Sequence, residues 1–205
     1  MSSHAAYQHI LYEARKLIAA RPELTDFAGL PDADLPFAEP EARALSVAEL
    51  LPSVADLVCR DTRDLTRAII NALPFLRFEQ TYGVTQVGAE YLARYGWFNL
   101  ISPDGPFLSD TMRISIGFWG QGLFYPEHWH TPEEIYCVLA GGCELHAEGC
   151  PPLLLSAGES AQIASAQPHA LDMAESSLLA MAIWRGEGLR VPATMSEDRA
   201  PNSSA

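Results

Sequence analysis

Between Gly122 and Gly141 the chain reads GLFYPEHWHTPEEIYCVLAG, and this stretch concentrates the side chains that could do chemistry. His128 and His130 stand at i and i+2, and Glu134 and Tyr136 repeat that spacing. In a β-strand, side chains two apart point to one face, so each pair can aim at a common point. Two imidazoles and a carboxylate converging inside a barrel make a first coordination shell for a divalent metal, with positions left open for water or substrate. A third imidazole is at hand in His169, which follows a proline in AQPHALD and enters the next apolar run. The expected ligand set is His128, His130, Glu134 and His169. It suits one divalent transition metal ion (Zn, Fe(II), Mn, Ni or Co), and residue types alone do not choose among them. His4 and His9 fall in an N-terminal helical pattern, and His146 alternates on a strand of its own.

These side chains need a scaffold of strands. From about Arg113 onward RISIGFW, EIYCVLA, CELHA, PLLLS, SAQIAS and LLAMAIW are short β-branched or aromatic runs separated by Gly, Pro and Ser. That is the pattern of an antiparallel sandwich or small barrel. Upstream the texture is helical. Tyr7, Ile10, Leu11, Ala14, Leu17 and Ile18 recur at steps of three and four, which predicts a helix over 5–21 ending before Pro22. The stretch LTDFAGLPDADLPFAEPEA then reads as a surface loop. Ser46 followed by Glu49 predicts a capping box opening a second helix, restarted at Pro52 and Ser53. Leu65, Ala68, Ile69 and Leu73 carry a further helix to a stop at Pro74. An aromatic-rich connector that includes Phe78, Tyr82, Tyr95 and Trp97 leads into the strands and is expected to pack, with capping of the pocket mouth as the alternative. The organisation is thus a helical region over 1–100, a barrel with the metal site over 101–191 and a polar, disordered tail over 192–205.

Composition narrows the partners. The chain has 205 residues, enough for one domain with a proper core. Its 26 acidic residues face 13 basic ones, a formal charge of −13 that repels a polyphosphate backbone, so nucleic acid is excluded as a partner. No run approaches the roughly 20 apolar residues that span a bilayer, and MSSHAAYQH lacks the basic and apolar regions of a signal peptide. A cytoplasmic protein without membrane contact is the expectation. Cys59, Cys137, Cys143 and Cys150 form no C-x-x-C pair and are expected to be free thiols. Arg113 and Arg185 flank strands and could steer a carboxylate, although arginines at strand ends ordinarily just solvate.

An isolated H-x-H is more often two polar residues on an exposed strand. Here Gly122, His128, His130, Glu134 and Gly141 match the first cupin motif, G-x5-H-x-H-x3-E-x6-G, at every specified position. The second cupin motif is degenerate: Gly158 and His169 are present, but the usual P-x-G is replaced by SAQP. The pattern Y-x-x-H-x-H-x3-E-x-Y, from Tyr125 to Tyr136, resembles the cupin-type dimethylsulfoniopropionate (DMSP) lyases of the DddQ, DddL and DddW kind, over about Tyr95 to Arg185. The resemblance implies a mainly β fold, a single cupin barrel (double-stranded β-helix or jelly roll) with a helical N-terminal region. It implies a carbon-sulfur lyase that splits DMSP, a sulfonium carboxylate, into dimethyl sulfide and acrylate. His128, His130, Glu134 and His169 would hold the metal, Tyr136 would be the catalytic base, and Tyr125 and Trp184 would line the substrate pocket. Phe124 is a further aromatic candidate for the sulfonium, whereas Trp129 should face away from the histidines and pack. Cupins commonly pair, so the resemblance also brings in a homodimer. Two rival readings stay open: a metal cupin enzyme acting on another small substrate, and a cupin that binds a small ligand without catalysis.

Overall fold

The computed structural model describes residues 1–30 and 34–195. Six α-helices precede the strands: α1 (Ser3–Ala19), α2 (Pro22–Ala28), α3 (Val47–Leu50), α4 (Arg63–Ala72), α5 (Val84–Val87) and α6 (Ala89–Ala93). Ten strands follow: β1 (Tyr95–Ser102), β2 (Phe107–Leu108), β3 (Met112–Trp119), β4 (Phe124–Trp129), β5 (Glu133–Ala147), β6 (Leu153–Ser156), β7 (Ser160–Ile163), β8 (His169–Asp172), β9 (Leu178–Arg185) and β10 (Thr194–Met195). Helix α1 starts where Ser2 Oγ accepts the Ala5 N–H at 3.2 Å, and it buries the stripe the periodicity predicts. Pro22 follows it but does not begin a loop. A proline at the first helical position forgoes a hydrogen bond the helix would not make, so Pro22 opens α2, which buries Leu24 and Phe27 and ends at Gly29 with φ 54°. The expected capping box at Ser46 is not formed: Ser46 Oγ donates instead to the Ala93 carbonyl at 3.1 Å.

The strands form two sheets that share β5. One runs β7-β5-β9-β3-β1-β2, the other β6-β5-β8-β4-β10, and all pairs are antiparallel except β1 with β2. The expected pair of strands EIYCVLA and CELHA is thus one strand that passes from sheet to sheet. Its first part, through Gly141, pairs with β9, and its second part, from Gly142, pairs with β6 and β8. Gly141 takes φ 69° at the corner, where a Cβ would lie 1.7 Å from the Ser177 carbonyl oxygen. Only glycine fits that bend. The result is a curled half-barrel with helices at its N-terminal side, the cupin-like architecture expected.

The first sheet separates two cores by simple alternation. On β3, Ile114, Ile116 and Phe118 face the core shared with α1, α2 and α4, and on β9 Leu179, Met181 and Ile183 join them. Burying each such side chain contributes about 1.5–3 kcal/mol. The intervening residues Arg113, Ser115, Gly117 and Trp119 face the space between the sheets, as do Ala182 and Trp184. Strand β1 also obeys this rule, which turns part of the expected aromatic connector into sheet: Phe98 and Leu100 meet the helical core, while Trp97 and Asn99 look inward. In the expected tail, Thr194 and Met195 pair with Trp129 and His128, and the remainder, 196–205, lies outside the described residues. All four cysteines are free thiols. No described helix is long and apolar enough to cross a membrane.

Replacing Gly141 by Ala forces a Cβ into a carbonyl and an L-residue into the left-handed region, so stability should fall by about 2 kcal/mol or more. Urea denaturation followed by circular dichroism measures it, and an unchanged midpoint would contradict the corner assignment.

Candidate functional site

Four elements deliver the histidines, the glutamate and their neighbours to one place. His128 lies in β4 opposite His169 of β8, its direct partner in the register. His130 lies just beyond β4, in the turn to β5, because the strand ends at Trp129. Glu134 and Tyr136 alternate inward from β5, and Trp184 of β9 pairs with Glu134. His128, His130, Glu134 and His169 are all buried.

The three imidazoles share one hydrogen-bond pattern. Each sets Nδ1 against a backbone carbonyl two residues away: His128 with Pro126 at 2.8 Å, His130 with Pro132 at 2.9 Å and His169 with Gln167 at 2.9 Å. A carbonyl only accepts, so Nδ1 carries the proton in every case. The Nε2 atoms are left to face inward. His130 Nε2 lies 2.9 Å and His169 Nε2 3.4 Å from Glu134 Oε2. Two acceptors cannot share that spacing, so a proton or another cation must stand between imidazole and carboxylate. His169 Nε2 is buried and has no hydrogen-bond partner among the described residues.

His130, Glu134 and His169 offer ligand atoms that all lie within 4.8 Å of one another. Nitrogen and oxygen donors bind first-row metals at about 2.0–2.2 Å, and a buried, unpartnered Nε2 beside a carboxylate is what such an ion would satisfy. The residues fit the group. His128, the fourth expected ligand, is not part of this trio. Its ring stacks on Tyr125 at 3.9 Å and lies 4.1 Å from that of His169. The i, i+2 argument required one regular strand through both histidines, but the register shifts between Tyr125 and His128 and the strand stops before His130.

Electrostatics follows from this packing. Burial favours a neutral Glu134, but the facing His130 and His169 outweigh it and hold its carboxyl well below the usual range. Burial lowers His130 as well, and the Glu134 charge overcomes that and raises it. His128 lacks such a counterion, so burial and then the neighbouring His169 keep it well below an ordinary imidazole. Burial and the Glu134 charge push the Tyr136 phenol well above its ordinary value. Trp184 Nε1 donates to Glu134 Oε1 at 2.7 Å and its ring lies 4.3 Å from that of His130, so the indole fixes the carboxylate as well as walling the site.

A cavity of about 220 Å³ opens beside the trio, small against the roughly 300–1,000 Å³ of sites for drug-sized ligands. Tyr125, His128, Tyr136 and Trp184 line it. Tyr125 Oη meets Tyr82 Oη at 3.0 Å and its ring stacks on Trp119 at 5.6 Å. Phe124 is 51% exposed and takes no part, and Trp129 is outside the lining. Sequence reasoning missed Trp119 as a lining residue and gave Tyr95 and Trp97 capping of the pocket mouth only as the alternative to packing, because their inward direction depends on β1 and β3 being neighbours. Arg113, for which solvation of a strand end was the first expectation and steering of a carboxylate the alternative, lines the cavity. Arg185 behaves as expected, pairing with Glu133 at the surface.

A family model for dimethylsulfoniopropionate lyase matches residues 30–180. The chain is 34% identical over 182 residues to the dimethylsulfoniopropionate lyase DddQ of Ruegeria pomeroyi, covering 89% of this chain and 90% of that protein. Among solved structures it resembles a chain from work on the DMSP lyases RdDddP and RnDddQII, with 35% identity, TM-score 0.91 and coverage of 95% of this chain and 100% of that one. It also resembles the DMSP lyase DddQ from Ruegeria pomeroyi DSS-3, with 32% identity, TM-score 0.89 and coverage of 96% and 98%.

Metal content after gel filtration should drop for His130→Ala and His169→Ala, drop less for His128→Ala and stay unchanged for His146→Ala. Trp184→Phe removes the 2.7 Å bond to Glu134 and should weaken metal affinity by about tenfold or more. Equal losses in the His130 and His146 variants would refute the trio.

Proposed function

The chain belongs to the dimethylsulfoniopropionate lyase family, and from that premise we propose that it cleaves DMSP to dimethyl sulfide and acrylate by β-elimination, with Tyr136 as the base. The observation that carries the reading is the place of the Tyr136 phenol, buried in the cavity wall beside Glu134. His130, Glu134 and His169 would hold one divalent transition metal ion, with His128 adjoining. When bound, such an ion supplies a Lewis acid for the substrate carboxylate and a positive charge that offsets Glu134 beside Tyr136, favouring the phenolate.

The residues then divide the work. Tyr136 takes the α-proton, the C–H electron pair becomes the Cα–Cβ double bond, and the Cβ–S bond breaks so that dimethyl sulfide departs with its electrons. A sulfonium is a soft cation with no group to donate in a hydrogen bond, and aromatic faces hold such a charge at about 0.5–2 kcal/mol per contact. Tyr125 and Trp119 offer those faces along the cavity, whereas the Trp184 ring lies against His130 and Arg113. Trp184 keeps Glu134 oriented through its indole N–H. Burial of Tyr136 and Glu134 excludes water from the point where the proton leaves.

Metal-loaded protein incubated with DMSP should release dimethyl sulfide and acrylate in equal amounts, read in the headspace and by chromatography. Tyr136→Phe should retain its metal and lose turnover by about 10²-fold or more. A variant with wild-type turnover would remove Tyr136 as the base.

A further inference from the structure

Two arginines line the cavity, and they are treated differently. Arg190, at the mouth, pairs with Asp104 and Asp110. Arg113, farther in, has no carboxylate within salt-bridge distance among the described residues, and the Glu134 charge acts on it most strongly, without contact. Its guanidinium is held all the same. Nε donates to Asn99 Oδ1 at 3.1 Å and to Ser115 Oγ at 3.0 Å, and Nη1 reaches the Leu189 carbonyl at 3.4 Å. The plane is flanked by two indoles, with Cζ 4.9 Å from the ring centroids of both Trp97 and Trp184. Nη2 has no protein acceptor among the described hydrogen bonds.

A half-buried cation without a counterion is costly unless something negative arrives to meet it. The neutral partners around Nε fix where the fork points without spending its charge. A guanidinium so held is suited to a carboxylate, which it receives through parallel N–H groups. The same charge repels a sulfonium. The opposite part of the cavity, around Tyr125, Trp119 and Tyr95, offers ring faces and no cationic side chain.

We propose that Arg113 is the carboxylate anchor of the cavity, pairing through its terminal nitrogens with the anionic end of a small zwitterionic substrate and so setting which end enters which way. The proposal deepens the lyase reading and rests on it for the identity of the zwitterion. Arg113 places the carboxylate next to Glu134 and its neighbours, and the sulfonium is left to the aromatic end. Trp184 links the two halves of the site, since one indole stacks on Arg113 and donates to Glu134.

The test is calorimetric titration of metal-loaded protein with propionate and, separately, with trimethylsulfonium, alongside DMSP turnover. Arg113→Gln should weaken propionate by about tenfold or more, as expected for losing a charge-assisted pair, and should not weaken trimethylsulfonium. KM for DMSP should rise more than kcat falls. Arg113→Lys keeps a cation at the position and should recover part of the propionate affinity, which a purely structural role would not restore. Unchanged propionate binding in a folded, metal-replete Gln variant would overturn the anchor, as would equal losses in the Lys and Gln variants. If wild-type protein releases no dimethyl sulfide while the propionate pattern holds, the lyase reading falls and the anchor stands.

Discussion

The site depends on three imidazole N–H groups being given away to the backbone. His128, His130 and His169 each spend Nδ1–H on a carbonyl two residues along the chain, and two of those carbonyls belong to prolines. Once that proton is committed, the tautomer and the ring direction are both settled, and the Nε2 lone pairs have nowhere to look but inward. Glu134 is then surrounded by acceptors and by one indole donor, an arrangement that is stable only around a cation or a proton. The donor arrangement that a metal ion would use is therefore set by local backbone geometry.

The sheet supplies the second constraint. Alternation along β3, β5 and β9 sends every other side chain into the helical core and the rest into the cavity, so the apolar residues that hold the helices also aim the polar ones. The helices have no residue in the cavity lining. Helices α1, α2 and α4 cover the outer face of the sheet, and α6 packs Tyr91 against Tyr95 behind the cavity wall. The corner at Gly141 brings the second sheet round to face the first, and through it His128 and His169 come to stand near Glu134.

How much of this could be read from the residues depended on whether the partner lay nearby in the chain. The ligand pattern was legible because the histidines, Glu134 and Tyr136 fall within one short segment, and His169 announced itself by a proline and an apolar run. The helical stripe of α1 was legible for the same local reason. Strand β1 was not, because YGWFNL is apolar or aromatic on both faces, one packed on helices and the other on the cavity, so no alternation shows. Gly141 and Gly142 read as a break between strands, whereas they bend a single one. Pro22 read as a stop and is a start. Arg113 was placed among solvated strand ends because its role is created by Trp97 and Trp184, distant in sequence and brought to either side of it by the order β1-β3-β9. The trio of His130, Glu134 and His169, with His128 adjoining, includes a register shift between Tyr125 and His128 that spacing alone cannot reveal.

The central claim is that backbone-fixed imidazoles present Nε2 to one metal ion. Anomalous diffraction from metal-loaded crystals tests it directly. The account predicts one peak at about 2.0–2.2 Å from Nε2 of His130, Nε2 of His169 and a carboxylate oxygen of Glu134, with all three Nδ1 atoms still bonded to their carbonyls. A peak elsewhere, or ligation through Nδ1 with those carbonyl bonds broken, would contradict it.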